Sequence, residues 1–175
     1  MEHLIIPENY ELLLDVKETQ VAIKYVKDFF ERDLANQLNL TRVSAPLFVK
    51  PETGLNDNLS GIERPVQFGI REQNEAVVEI VHSLAKWKRM ALKRYNFNYG
   101  EGLYTDMNAI RRDEDTDNTH SLFVDQWDWE LIIHKEERNE KTLRKIVDKV
   151  YSSLKATERY IKSKYEFLEE ILPEK

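Results

Sequence analysis

The part of the sequence best suited to chemistry is residues 121–130, which read SLFVDQWDWE. Because alternate residues of a strand share a face, this segment as a strand has one mixed face, formed by Val124, Gln126, Asp128 and Glu130. An apolar residue followed by an amide and a carboxylate makes a poor core surface, but it suits a polar ligand with a flat apolar part. A solvated sheet face explains Gln126 and Asp128 equally well. The opposite face, with Trp127 and Trp129, is predicted to pack against a helix.

Residues 111–115, which read RRDED, lie shortly before this segment. Arg111 falls where a strand is predicted to leave the sheet, and a guanidinium is well shaped to bind phosphate or carboxylate. By itself, such a loop is most often only a charged turn. Its position beside the strand of Gln126 is what makes Arg111 a candidate for ligand binding.

Residues 82–88, which read HSLAKWK, are predicted to begin a helix with Ser83 as its cap. Backbone N–H groups at a helix N-terminus favour anions, although Lys86 and Lys88 fit a solvated helix face just as simply. His82 is predicted to be a buried or capping histidine rather than a metal ligand or a general base. In the loop before it, turn chemistry alone accounts for Asp57.

The composition narrows the classes of function. With 26 Lys and Arg against 32 Asp and Glu, the formal net charge is −6. This charge argues against a protein whose main function is to bind nucleic acid by neutralising its phosphates. The absence of cysteine excludes disulfides, thiolate metal sites and cysteine nucleophiles. The N-terminus lacks the features of a signal peptide, and no apolar run approaches the ~20 residues that a membrane span needs. These features predict a cytoplasmic protein.

Periodicity indicates the elements that position the candidate residues. Apolar side chains spaced three and four apart predict a helix over residues 15–39, capped by Asp15 or Thr19. Residues 40–49 are predicted to be a strand in which Pro46 marks a bulge or an edge. Further strands are predicted around residues 66–70 and 77–81.

The second half of the sequence continues the alternation of helices and strands. A helix is predicted over residues 84–95, with Leu84, Trp87, Ala91 and Leu92 on its apolar side. Strands follow over residues 103–110 and 121–133, and one long or two shorter helices over residues 137–172 stop near Pro173. This order predicts an α+β protein with a mostly antiparallel sheet.

Several blocks of the sequence resemble a known family. A proline-marked strand after a long helix, an Arg-x-acid hairpin and a Gln-x-Asp strand are similar to the class II aminoacyl-tRNA synthetase core. The residues of these blocks resemble the ammonia-dependent asparagine synthetase (aspartate–ammonia ligase) family more closely still. The blocks that carry this resemblance are DNLSG at residues 57–61, VHSLAKWKR at 81–89, GEGLYT at 100–105, RRDED at 111–115, VDQWDWE at 124–130 and LKATE at 154–158.

The resemblance implies a class II synthetase-like antiparallel sheet flanked by helices, and an enzyme of asparagine biosynthesis. Such an enzyme activates L-aspartate with ATP to a β-aspartyl adenylate, from which ammonia displaces AMP. The implied ligands are aspartate, ammonia, ATP and Mg²⁺, with the metal ligands expected outside this chain. A homodimer through the first helix and the Pro46 strand is also implied, without nucleic acid or membrane partners.

The resemblance also assigns roles to residues of this sequence. Arg111 is expected to clamp the α-phosphate of ATP and the attacking carboxylate, with Asp113 and Val124 also in the ATP site. Lys88 and Ser83 are expected to bind an aspartate carboxylate. Asp57 and Asp128 are expected to hold the substrate ammonium or orient ammonia. Gln126 is expected to hydrogen-bond to the adenylate. The catalytic set is therefore Asp57, Arg111 and Gln126.

The sequence departs from the family at its end, because family chains continue for roughly the same length again and carry the third class II motif there. We therefore expect residues 1–15 to be an N-terminal extension and residues 16–175 to be the N-terminal portion of the catalytic domain. Two alternatives remain open. The chain could be a non-catalytic aspartate-binding or dimerisation module from a split gene, or a relative of the aspartyl- or asparaginyl-tRNA synthetases.

Overall fold

In the computed structural model, residues 3–57 and 59–174 are described. Asn58, which belongs to one of the family-like blocks, lies outside the described residues, as do residues 1, 2 and 175 of the predicted domains. The helices and longer strands appear in the predicted order. They are α1 (Val16–Leu38), β1 (Leu40–Arg42), β2 (Phe48–Val49), β3 (Gln67–Ile70), β4 (Ala76–Ile80), α2 (Ala85–Arg94), β5 (Gly102–Ile110), β6 (Phe123–Leu131) and α3 (Glu140–Lys164).

The α+β class with antiparallel strands is confirmed. The described residues divide into two compact units, each built from several chain segments. Of the described residues, the first unit contains 3–8, 42–57, 59–98 and 102–130, and the second contains 9–41, 99–101 and 131–174. All of the candidate site residues belong to the first unit.

The first helix forms as predicted. The Asp15 side chain accepts a hydrogen bond from the Glu18 N–H at 2.7 Å, so Asp15 and not Thr19 is the N-cap. The helix ends where Asn39 takes a left-handed conformation with φ 56°, which Asn tolerates better than most residues. Its buried face consists of Leu34, Ala35 and Leu38.

The strands form two three-stranded sheets, with the orders β1-β5-β6 and β2-β4-β3. In the second sheet, β4 pairs antiparallel with both neighbours, so that Phe48 lies opposite Ile80 and Phe68 lies opposite Val78. The strands predicted around residues 66–70 and 77–81 are therefore confirmed.

The single strand predicted over residues 40–49 is wrong. This segment forms β1 and β2, which belong to different sheets, and Pro46 lies in the connection between them. Proline has no backbone N–H to donate, so a strand ladder does not continue through it. Pro46 therefore marks a change of sheet, and the predicted dimer-forming Pro46 strand is not a strand.

Helix α2 begins later than predicted, because Leu84 and not Ser83 occupies the N-cap position. Leu84 is completely buried, which fixes this turn of the chain. The Ser83 hydroxyl instead accepts a hydrogen bond from the Ala85 N–H at 3.2 Å. The predicted apolar side of the helix is confirmed, since Leu84, Trp87, Ala91 and Leu92 are all buried.

In the second unit, α1 and α3 pack against each other around a buried polar contact. The fully buried Ser153 hydroxyl donates to Asp33 Oδ2 at 2.6 Å and accepts from Gln37 Nε2 at 3.0 Å. Lys149 Nζ donates to the Gln37 carbonyl at 2.6 Å. The two helices are therefore joined by hydrogen bonds as well as by apolar contacts.

The last helix is one element and ends at Lys164, so the prediction that it continues to Pro173 is wrong. The chain leaves the helix at Tyr165, where φ is −131°. The sequence carries no glycine or proline at this point, so no local stop signal predicts the end. None of the helices in the described part of the chain is both long and apolar enough to cross a membrane.

Candidate functional site

Strands β5 and β6 form the floor of the candidate site. The Arg111 N–H donates to the Leu122 carbonyl at 2.8 Å, and Gln126 Nε2 approaches Met107 Sδ at 4.0 Å, which indicates an antiparallel pairing with Met107 opposite Gln126. Residues directly opposite each other share a face. One face therefore carries a buried row on β5 and the predicted mixed row on β6. These rows are Leu103, Thr105, Met107 and Ala109, and Val124, Gln126, Asp128 and Glu130.

Arg111 extends the ladder by one residue beyond β5, and it falls in the same alternating row as Met107. Strand alternation consequently assigns Arg111, Gln126 and Asp128 to one face of the sheet. Val124 belongs to the same row and is half-buried.

Helix α2 covers this face through Lys88, whose side chain is only 2% exposed. Its ammonium lies 2.6 Å from Asp128 Oδ1 and 3.6 Å from Glu130 Oε1, and it donates to the Trp129 carbonyl at 3.1 Å. A buried ammonium needs such partners, because an unpaired charge is costly to remove from water. Lys88 is therefore a buried ionic centre, and the solvated helix face considered for it is wrong.

The two tryptophans of β6 lie in the opposite row of the strand. The Trp127 ring contacts the ring of Tyr104 on the neighbouring strand, with centroids 4.8 Å apart. Packing of Trp127 and Trp129 against a helix stays a prediction.

Arg111 borders a cavity of about 70 Å³ at the end of the β5–β6 hairpin. Its Nη1 lies 3.5 Å from Glu114 Oε2, whereas its buried Nε has no hydrogen-bond partner among the described residues. The cavity is lined by Leu59, Glu63, His82, Arg111, Arg112, Asp113 and Glu114.

Asp113 contacts a basic residue that the sequence did not point to. It accepts hydrogen bonds from the Arg64 N–H at 2.9 Å and from Arg64 Nε at 3.0 Å. The hydrogen bonds from the Arg64 side chain, followed by the one from its backbone N–H, hold the pKa of Asp113 far below the ordinary value for an aspartate. Asp113 therefore stays ionised, and its hydrogen bonds with Arg64 connect the segment before β3 to the loop between β5 and β6.

Asp57 and His82 are positioned by a buried neighbour, Asn56. The Asn56 side-chain oxygen Oδ1 accepts from the His82 backbone N–H at 2.8 Å, and its Nδ2 donates to Glu79 Oε2 at 3.2 Å. Asp57 lies 3.7 Å from Lys86 Nζ. The loop that carries Asp57 is therefore tied to β4 and to the start of α2.

The sequence missed Asn56 and Arg64 as parts of this site, and it placed Glu130 on the mixed face without predicting its contact with Lys88, because these roles depend on contacts between distant segments. The structure brings Lys88 together with Asp128, and Arg111 together with Asp113 at one cavity. Asp57 lies beside Lys86, and not in the Lys88–Asp128 pair or at the cavity of Arg111 and Asp113.

Metal binding has no support among residues 3–57 and 59–174, where no group of three or more His, Cys, Asp or Glu side chains is arranged to hold an ion.

Comparisons with known proteins give a consistent result. A family model described as aspartate–ammonia ligase matches residues 17–175. An aspartate–ammonia ligase from Clostridium tetani is 68% identical over 173 residues, which is 99% of this chain and 51% of that protein. The corresponding protein from Fusobacterium nucleatum is 63% identical over 161 residues, covering 92% of this chain and 49% of that protein. The chain spans about half the length of these relatives.

Among solved structures, a pyrrolysyl tRNA synthetase from Desulfitobacterium hafniense matches with 14% sequence identity and a TM-score of 0.49. The match covers 79% of this chain and 50% of that structure.

Proposed function

Because the chain belongs to the aspartate–ammonia ligase family, we propose that it contributes part of the active site of an enzyme that makes L-asparagine. The reaction joins ammonia to the side-chain carboxylate of L-aspartate and converts ATP to AMP and diphosphate. The structural observation that best supports the proposal is that Arg111, Gln126 and Asp128 fall on one face of the β5–β6 sheet.

The first step must bring two anions together. A carboxylate oxygen of aspartate attacks the α-phosphorus of ATP, the bond to the leaving diphosphate breaks, and an acyl adenylate forms. A guanidinium that contacts both anions offsets their repulsion and stabilises the charge that develops between them. Arg111 is suited to this role, because its Nε–H is buried without a partner among the described residues.

The second step needs an uncharged nitrogen next to the activated carbonyl. Ammonia attacks the acyl carbon, the bond to AMP breaks, and one proton leaves the nitrogen. Asp57 and Asp128 are the proposed carboxylates for holding an ammonium or orienting ammonia. Gln126 is the proposed hydrogen-bonding partner of the adenylate, and Val124 the proposed floor for its adenine.

Lys88 and Ser83 remain the proposed ligands of an aspartate carboxylate. The ammonium of Lys88 already contacts Asp128 and Glu130, so in this proposal it also sets the position of Asp128. In this proposal, Asp113 contributes to the ATP site by holding the loop between β5 and β6 in place through its hydrogen bond with Arg64.

Mg²⁺ as the counterion of ATP, a homodimer and a cytoplasmic location are further parts of the proposal. The described residues present no cluster suited to a metal ion, so the proposal assigns the metal ligands outside this chain. No step above depends on them.

The experiment that tests the proposal mixes aspartate, ammonium, ATP and Mg²⁺ with this chain, and in parallel with the same chain extended to the full length of its relatives. We expect AMP and asparagine in equal amounts from the extended protein. If the extended protein forms neither product, the proposal is wrong. If the extended protein binds aspartate but forms no product, the alternative of a non-catalytic aspartate-binding module is correct.

A further inference from the structure

The imidazole of His82 is an unusual buried group. His82 is 1% exposed, and neither of its ring nitrogens has a hydrogen-bond partner among the described residues. Leaving a buried polar atom without a partner costs about 1–3 kcal/mol, so such atoms are rare in folded proteins. A partner for this ring therefore has to come from outside the described residues.

The position of His82 is fixed by its surroundings. Its backbone N–H donates to the buried side chain of Asn56 at 2.8 Å, and Asn56 is held in turn by Glu79 and the Ile80 carbonyl. His82 also directly precedes the start of α2. The ring is therefore held at the cavity of about 70 Å³ that it shares with Arg111.

Donors and acceptors at this cavity are unequally satisfied. The carboxylates of Glu63, Asp113 and Glu114 already face donors on Ser60, Arg64 and Arg111, respectively. By contrast, Arg111 Nε–H and the N–H that His82 carries in either tautomer find no acceptor among the described residues. The unpartnered N–H groups of the residues that line this cavity are therefore donors, and an oxyanion is a ligand that accepts from donors.

The size of the cavity limits the ligand. A single water needs roughly 10–15 Å³ of such space, so about 70 Å³ admits a small polar group. The space is too small for a nucleotide, but it suits one carboxylate group.

We propose that His82 and Arg111 together form a subsite for a carboxylate of the amino-acid substrate, with His82 as a binding residue that donates one ring N–H to it. This inference rests on the proposed function, which supplies aspartate as the ligand. It adds a residue that neither the spacing of the motifs nor their residue types assigned to the site.

The direct test is a titration followed by the ring nitrogen resonances of this chain, with His82→Gln used to assign the His82 signals. L-Aspartate and succinate should shift the His82 nitrogens saturably, whereas sodium chloride at matched ionic strength should not. His120, which is exposed and contacts Asp117, serves as the internal control. No shift with any carboxylate would overturn the subsite, and a shift with inorganic phosphate or AMP alone would overturn its assignment to a carboxylate.

The second test separates binding from folding in the extended enzyme. Removing a hydrogen bond to a charged ligand should raise KM for aspartate roughly tenfold in His82→Leu, with KM for ATP unchanged. His82→Gln, which keeps a donor, should recover part of the loss, and His120→Gln should have no effect. A loss of thermal stability without a change in KM for aspartate would overturn the inference. Because the titration needs no turnover, an inactive enzyme with a shifting His82 would refute the proposed function alone.

Discussion

Two lysines with buried side chains, Lys88 in the first unit and Lys155 in the second, form ionic clusters of different kinds. Lys155 is bound by Glu158 in its own helix and by residues of the segment that follows this helix. It contacts Glu158 Oε2 at 3.0 Å and the Leu172 carbonyl at 2.9 Å, with Glu174 at 3.2 Å. Lys88 joins a helix to a strand that lies about 40 residues away, through Asp128, Glu130 and the Trp129 carbonyl.

The two clusters also differ in what lies beside them. Around Lys155, Glu158 accepts from the Ile171 and Leu172 N–H groups, so the cluster fastens the segment after α3 to that helix. In the unit of Lys88, the residues that line the cavity beside Arg111 include Arg111 and His82, whose buried Nε and ring nitrogens have no partners among the described residues. A buried lysine is therefore a weak indicator of function by itself.

The largest effect in this comparison is expected for Asp128→Ala. It removes the nearest carboxylate from a lysine that is 2% exposed, leaving Glu130 at 3.6 Å. Breaking a buried ion pair in this way should lower the free energy of unfolding by about 3 kcal/mol. Urea denaturation measures it, with the exposed Asp115→Ala as the control. A loss equal to that of the control would show that Lys88 does not depend on Asp128.

A smaller loss is expected for Asn56→Ala. The variant removes the acceptor of the His82 N–H and leaves that buried donor unpaired, which should lower the free energy of unfolding by about 1–3 kcal/mol. Asn108→Ala, on the exposed face of β5, is the matched control. The His82 ring resonances should move in Asn56→Ala and stay in place in Asn108→Ala. Unmoved resonances in both variants would contradict the positioning of His82 by Asn56.

Lys155→Met should act locally. Without the ammonium, the Leu172 carbonyl and Glu158 lose a shared donor, so residues 165–174 should become accessible to protease while the first unit stays resistant. Lys141→Met, at an exposed position of the same helix, should leave the digestion pattern unchanged. Equal cleavage of both variants would show that Lys155 does not hold this segment.

The smallest effect concerns pH. Hydrogen bonds from the Leu172 N–H, together with the Lys155 ammonium, lower the pKa of Glu158. A carboxyl whose folded pKa is depressed stabilises the fold above its unfolded pKa, near 4.3, and that contribution is lost as pH falls through the folded pKa. The Leu172 amide resonance should therefore titrate with a midpoint below about 4.3. Glu158→Gln should abolish this titration, and a midpoint above that value would contradict the account.

Sequence patterns predicted the parts of the fold that depend on local chemistry. The Asp15 cap, the apolar side of α2 and the mixed face of β6 follow from spacing and residue type, and the structure contains all three. The end of α3 could not be predicted, because the contacts of Glu158 with residues 171 and 172 lie beyond the helix and no local stop signal marks it.

Within the candidate site, the sequence identified residue types but not their pairing. Lys88 fits a solvated face by its charge, and only the approach of β6 makes it a buried centre. His82 was expected to be a buried or capping histidine, and it is buried. Whether its ring nitrogens have partners depends on residues far away in the chain, so spacing could not reveal it.

The central claim is that Arg111 acts on an activated aspartate at the face shared with Gln126 and Asp128. The most direct measurement is aspartate-dependent exchange of diphosphate into ATP, in the chain extended to the length of its relatives. Arg111→Ala should lower the exchange rate by about a hundredfold or more, while Arg144→Ala, which removes an exposed guanidinium from α3, should leave it unchanged. Equal exchange rates in the unmodified protein and Arg111→Ala would contradict the claim.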